Sequence, residues 1–334
     1  ELLIGRHTHR NMVIALGSLP KHNAVASLGR LTGIGGLITA SMILSFYAIV
    51  AGWMLGFAAS YPLSAAGMAS TGDWLVTFGS PRNLTLMLIF MVLTMAVVLG
   101  GVEHGIERWS RRLMPLLIAT LIALALYVLT LEGALTGLKV YLLPDFEKVL
   151  SGDLLIDALG SAFFSLSLGV GTMLIYGSYL SDTENVPNVG AQVALVDVGI
   201  AVLAGFLILP AMYVADARGV PIFNDVGGLL SEDTLIFTVL PALFETMEGA
   251  GIWLATAFFA LMSIAALTSS ISMLEVPVAY LIERHQLSRR RATLVAGGVI
   301  AGFSALIVLN FGMLFGWVIT VSTRYSQPAL GILI

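Results

Sequence analysis

The chain is 334 residues long, 58% hydrophobic and only 11% charged, with a mean hydropathy of +0.95. That balance excludes an ordinary soluble domain and a disordered chain, and a net charge of −4 gives no basis for a nucleic-acid partner. With no cysteine at all, disulfides and thiolate metal sites are excluded too.

Apolar runs of about 20 residues, enough to cross roughly 30 Å of hydrocarbon as a helix, recur along the chain. They predict eight spans: 31–59, 84–101, 113–131, 154–180, 189–214, 251–282, 292–310 and 314–334. The fold class is an all-α, multi-pass membrane protein, with the lipid bilayer as its first partner. The chain opens on Glu1 and stops inside the apolar run "ALGILI", so both ends are expected to be cut.

Loop charge orients the spans. One set of loops carries Arg6, Arg10, Lys21, Arg30, Arg108, Arg111, Arg112, Arg284, Arg289, Arg290 and Arg291, and is assigned to the cytoplasm. The opposite set carries only Arg82, Lys139, Lys148 and Arg218. The acids Asp145, Glu147, Asp153, Asp216, Asp225, Glu232, Asp233, Glu245 and Glu248 fall mostly outside, in two long loops. Pieces such as "TLIFTVLPALFETM" predict short helices over the membrane face, able to act as a lid.

The chemistry should lie with polar residues forced into hydrocarbon, where an unsatisfied group costs several kcal/mol. In "FFSLSLGVG", Ser165, Ser167, Gly169 and Gly171 alternate and share no helical face. Two glycines and two hydroxyls that compete for backbone bonds predict a broken helix. Such a break exposes carbonyls and a half-helix N-terminus for ion and substrate binding. Close packing through small residues accounts for the same stretch equally well.

Asp197, in "VALVDVGIAVLAG", lies well inside its span, where a lone aspartate costs about 2.5 to 3.5 kcal/mol. It reads as a cation ligand or proton carrier, with a hydrogen-bonded structural aspartate as the plainer explanation. "AALTSSISM" sets Thr268, Ser269 and Ser270 at membrane depth, hard oxygen ligands suited to a small hard cation. The five histidines, 7, 9, 22, 104 and 285, fall at cytoplasmic loops. His7 and His9 form an H-x-H pair with no third ligand nearby, so solvated loop histidines are the better reading. No catalytic motif is found, so the chain is not expected to be an enzyme.

Five motifs in order, "ELLIGRHTHRN", "SFYAIVAGWMLGF", "GGVEHGIERWSRRLMP", "FFSLSLGVG" and "LTSSISMLEVPVAYLIE", resemble the neurotransmitter:sodium symporters, in particular their bacterial amino-acid branch and the fold of the bacterial leucine transporter. The resemblance covers nearly the whole of residues 1–334, read as a single transporter domain. It aligns Glu1 with an acid near the end of the family's second helix, which leaves the first helix, most of the second and everything after the tenth outside this chain. It implies two inverted five-helix repeats, with "FFSLSLGVG" as the broken sixth helix.

The resemblance also implies roles. Tyr47 matches the tyrosine that bonds the substrate carboxylate, and Phe164 the aromatic lid over the substrate. The side-chain pocket would be Ile43, Ser167, Val170, Ser269 and Met273, with Ser165 also touching substrate. Ser165 and Asp197 match one sodium site, while Ala265 by its carbonyl, Thr268 and Ser269 match the second. Both sites would be incomplete without the family's first helix. The pocket is apolar and uncharged, and Val170 stands where the leucine transporter has a bulkier aromatic, so the implied cargo is a neutral, hydrophobic or aromatic amino acid.

Two departures carry consequences. Asp197 stands where the leucine transporter has asparagine, and its fixed charge would make chloride unnecessary. At the outer gate, Ser161 and the acid-free stretch "LFGWVITVSTRYSQP" replace the usual polar and acidic residues, and Arg324 is unexpected at membrane depth. The implied function is sodium-coupled symport across a bacterial inner membrane. A non-transporting amino-acid sensor or channel-like protein on the same scaffold is the alternative, and a homodimer is left open.

Overall fold

The computed structural model describes residues 1–101, 107–143, 152–223, 230 and 234–309. The expectations for His104, Asp145, Glu147, Lys148, Asp225, Glu232, Asp233, Arg324 and the span 314–334 lie outside the described residues. The described chain is helical almost throughout.

Two short helices open it, α1 (Leu2–Thr8) and α2 (Met12–Ser18). His9 separates them in the left-handed region at φ 46°. Asn11 starts α2 because its side-chain oxygen accepts from the Val13 and Ile14 backbone N–H groups at 3.1 and 3.2 Å. Then follow α3 (Asn23–Ala65), α4 (Ala69–Val76), α5 (Ser80–Leu99), α6 (Arg108–Val128) and α7 (Ala134–Leu142). The predicted span 154–180 is two helices, α8 (Gly152–Ser165) and α9 (Thr172–Ser178). A long helix, α10 (Val186–Ala217), starts on the Asn185 cap, which accepts from Asn188 N–H at 3.1 Å.

A π-helical turn, Leu235–Val239, leads into α11 (Leu240–Glu245). This is the short-helix stretch expected in the outer loop, and its apolar residues Phe237, Leu240 and Leu243 are buried against the bundle. Last come α12 (Glu248–His285) and α13 (Arg289–Leu309). Among the described residues, six helices, α3, α5, α6, α10, α12 and α13, are long and apolar enough to cross a membrane.

At 43 residues, α3 is roughly 65 Å long, about twice the hydrocarbon thickness, so it tilts or extends beyond it. It packs most extensively against α12. Small residues on its buried face allow the approach: a Cβ on Gly52 would lie 2.8 Å from the Met87 nitrogen of α5. One apolar cluster joins Phe57, Phe237, Phe258 and Phe259 with the inner faces of α6 and α10. A second joins Leu44, Ile49, Met87, Phe90 and Leu274 with α13.

Arg82 departs from the sequence reading, which put it in an outer loop. It lies in the first turn of α5, only 2% exposed. Its Nε donates to the Leu75 carbonyl at 2.8 Å and its guanidinium lies 4.7 Å from the Phe78 ring centroid. An arginine can bury its stem and plane on aromatic faces, which a loop charge count does not reveal.

Every residue of α8 from Leu154 to Ser165 is exposed, and Leu195 on the neighbouring half of α10 is 73% exposed.

Candidate functional site at the helix break

The backbone leaves helical geometry after Ser165 and re-enters at Thr172. Ser167, Gly169 and Gly171 adopt left-handed conformations at φ 51°, 84° and 86°. Three left-handed residues at alternate positions explain why the alternating motif cannot stay helical. For L-residues this region costs about 1–2 kcal/mol each, which glycine avoids. Gly171 also touches Met12, whose sulfur lies 2.5 Å from where a Cβ would stand. The freed backbone finds a partner in Glu1, whose Oε1 accepts from Gly169 N–H at 2.6 Å.

Beside the break is a cavity of about 350 Å³. From α3 come Ala40, Ile43 and Tyr47, spaced to share one face; from α8, Phe163, Phe164 and Ser165; from the break, Ser167, Leu168 and Val170. Asp197 of α10 and Ser269 and Met273 of α12 complete the wall. The structure therefore brings together Ile43, Tyr47, Phe164, Ser165, Ser167, Val170, Ser269 and Met273, which lie on three separate stretches of sequence. Ala40, Phe163 and Leu168 were not singled out from sequence, since single apolar residues in an apolar span carry no signal.

Ser165 Oγ donates to Asp197 Oδ1 at 2.7 Å. A hydroxyl oxygen and a carboxylate at this separation offer hard ligands on one side of the cavity. The Tyr47 and Ser269 hydroxyls line the same cavity. Thr268 immediately precedes Ser269 and Ala265 lies one turn before it, and Thr268 Oγ1 donates to the Ala265 carbonyl at 2.8 Å. The second group of sodium ligands expected from sequence is thus contiguous, on a regular turn of α12.

Below the cavity, α9 is tied to α12 by polar contacts that sequence reasoning missed. The Tyr179 hydroxyl donates to Glu275 Oε1 at 2.5 Å, and the other oxygen of this fully buried carboxylate meets Arg289 Nη2 at 2.5 Å. Arg289 also donates from Nε to the Val98 carbonyl at 2.9 Å. On α2, Asn11 donates from its backbone N and from Nδ2 to the Glu283 carboxylate. The only available signal was Glu275 inside an apolar run, a buried acid that needs partners.

His9 is engaged in contacts within the chain. Its Nδ1 lies 2.9 Å from the Ser178 carbonyl and its Nε2 3.4 Å from Asp182. The Ser178 carbonyl first, and the Asp182 carboxylate second, favour the protonated ring and raise its pKa above the ordinary 6.5.

A helix broken beside a cavity, with side-chain oxygens from three other helices or half-helices around it, is the architecture of a secondary transporter. Residues 73–334 match the Sodium:neurotransmitter symporter family, and the chain belongs to that family. It is 35% identical over 320 residues to the uncharacterized sodium-dependent transporter YhdH of Bacillus subtilis, covering 94% of this chain and 67% of that protein. An uncharacterized sodium-dependent transporter of Haemophilus influenzae is 33% identical over 303 residues, covering 87% of this chain and 64% of the relative. Among solved structures, MhsT in complex with L-phenylalanine superposes with a TM-score of 0.76 at 33% identity, over 93% of this chain and 68% of that one. The chain thus spans about two thirds of the length of these relatives. It is an integral, multi-pass membrane protein of a transporter family, not an enzyme.

Proposed function

We propose that the chain is the core of a sodium-coupled symporter that moves a neutral, hydrophobic or aromatic amino acid across a bacterial inner membrane by alternating access. Residues 1–334 act in it as a single transporter domain. The observation that carries this reading is the Ser165–Asp197 pair at 2.7 Å, set where the broken helix meets an otherwise uncharged cavity.

Tyr47 holds the amino-acid carboxylate, Phe164 covers it, and Ile43, Ser167, Val170, Ser269 and Met273 surround the side chain. Phe163, Phe164 and Val170 give the cavity an apolar wall, and its volume suits an amino acid with a large apolar side chain. MhsT, crystallised with L-phenylalanine, is similar over 93% of this chain, which favours an aromatic cargo. One sodium ion is held by Ser165 and Asp197, a second by the Ala265 carbonyl, Thr268 and Ser269. The Asp197 charge balances the first ion, so chloride is not required.

The test is uptake of radiolabelled amino acids by the full-length protein in liposomes, under an inward sodium gradient against a potassium control, each with and without chloride. Sodium-driven, chloride-indifferent accumulation of phenylalanine or leucine is expected. Binding without accumulation would replace the symporter with a sensor on the same scaffold.

A further inference from the structure

Two hydrogen bonds, one helical turn apart, join the inner half-helix to α12. Tyr176 and Tyr179 are three residues apart at the end of α9, and Ser272 and Glu275 are three apart on α12, so each pair shares a face. The lower bond, Tyr179 to Glu275, is backed by Arg289. The upper one joins the Tyr176 hydroxyl to the Ser272 hydroxyl at 2.6 Å and involves no charge.

Ser272 makes a further contact, donating from Oγ to the Thr268 carbonyl at 3.2 Å. A serine hydroxyl has a single proton. With that proton on the Thr268 carbonyl, Ser272 can only accept from Tyr176. Both hydroxyl protons are used when Tyr176 donates to Ser272 and Ser272 donates to the Thr268 carbonyl. One turn earlier, Thr268 Oγ1 donates to the Ala265 carbonyl. The chain that begins on α9 thus ends at the carbonyl of Thr268, the residue whose hydroxyl is assigned, with the Ala265 carbonyl and Ser269, to the second sodium ion.

A cation there is met by acceptor lone pairs that the Thr268 hydroxyl and the Ala265 carbonyl keep beside their helical bonds, so its fit depends on how that turn is held. A serine bonded back to its own helix bends it, and hydrogen bonds in series polarise one another. We propose that the Tyr176–Ser272 bond is a positioning contact that holds the Ala265–Thr268 turn ready for a cation and links ion occupancy to α9. This rests on the symporter reading above. The bond joins half of the broken helix to a continuous helix, two parts that alternating access moves against each other. Its loss weakens the cation site and releases the inner half-helix together.

The test is sodium-22 binding to the full-length protein in detergent, without amino acid. Tyr176→Phe and Ser272→Ala are each expected to raise the half-saturating sodium concentration about threefold to tenfold, the range of one neutral hydrogen bond. The number of ions bound stays unchanged. The double variant matches the worse single one, since both substitutions remove the same bond. Residues 1–334 hold no cysteine, so Ser178→Cys, with any cysteine elsewhere in the full-length protein replaced, supplies a single reporter at the end of α9. Sodium slows its alkylation in the parent, and does so in Tyr176→Phe only at the higher concentration. Unchanged half-saturation in both single variants, or fully additive effects, with sodium binding intact, overturns the positioning role and leaves the symporter reading standing. A parent protein that binds no sodium overturns the symporter reading, and the positioning role with it.

Discussion

Ser165, the last residue of α8, donates its hydroxyl to Asp197 across 2.7 Å, joining two positions 32 residues apart. The pair couples the end of a helix to a carboxylate inside a different span. This arrangement puts a negative charge beside a backbone whose polar groups have been freed.

Asp197→Asn tests the charge. The amide keeps an acceptor for Ser165 but removes the charge that attracts a cation. Bonds to charged groups exceed neutral ones by about 1–2 kcal/mol, so the sodium concentration for half-maximal uptake should rise about tenfold. Added chloride should recover part of the loss in the variant and do nothing in the parent. Uptake that stays unchanged and chloride-indifferent would remove Asp197 from the ion site.

Val170→Phe tests the cavity wall. Val170 projects from the break into a space of about 350 Å³, and a ring there competes with an aromatic cargo. Overpacking of about 1–3 kcal/mol predicts roughly tenfold or greater weakening for phenylalanine, with leucine affected less. Competition binding of the two amino acids reads the ratio directly. Equal weakening of both would mean that Val170 does not face the cargo side chain.

Gly171→Ala tests the broken backbone. At φ 86°, with Met12 sulfur 2.5 Å from the added carbon, the variant should lose about 2 kcal/mol or more. Gly199→Ala is the control: it lies within α10 and its added carbon meets nothing within 4 Å, so helix propensity favours it by up to about 1 kcal/mol. Denaturation midpoints in detergent should move in opposite directions. Matching shifts would show that the left-handed position carries no special constraint.

His9 predicts a pH dependence with a definite sign. Its folded pKa is raised by the Ser178 carbonyl and by Asp182, so the folded protein binds the proton more tightly than the unfolded chain. The stabilisation is fully present below the ordinary value of 6.5 and is lost as pH rises through the raised folded value. The melting-temperature difference between the parent and His9→Gln should therefore shrink between about pH 5.5 and 8.5. A constant difference would mean that the ring does not titrate in these contacts.

Much of the fold was legible in sequence because hydrophobic length is a one-dimensional property. The spans 31–59, 84–101, 113–131, 189–214, 251–282 and 292–310 correspond to α3, α5, α6, α10, α12 and α13, longer or shorter by a few residues at the ends, except that α3 extends further. The alternation Ser165, Ser167, Gly169, Gly171 located the break correctly, since residues that favour left-handed geometry or compete for backbone bonds act locally.

By itself, then, the sequence determined that this is a membrane protein, roughly where its helices run, where one of them breaks, and which family pattern its motifs follow. Only the tertiary structure decided how Asp197 and Ser165 meet, how Arg82 hides beneath Phe78, and how Tyr176 and Tyr179 pair with Ser272 and Glu275. Helix formation and membrane insertion depend on local composition, whereas each of those contacts depends on the rotation and offset between helices. Those are set by the summed packing of many small side chains, and no single stretch of sequence contains that sum.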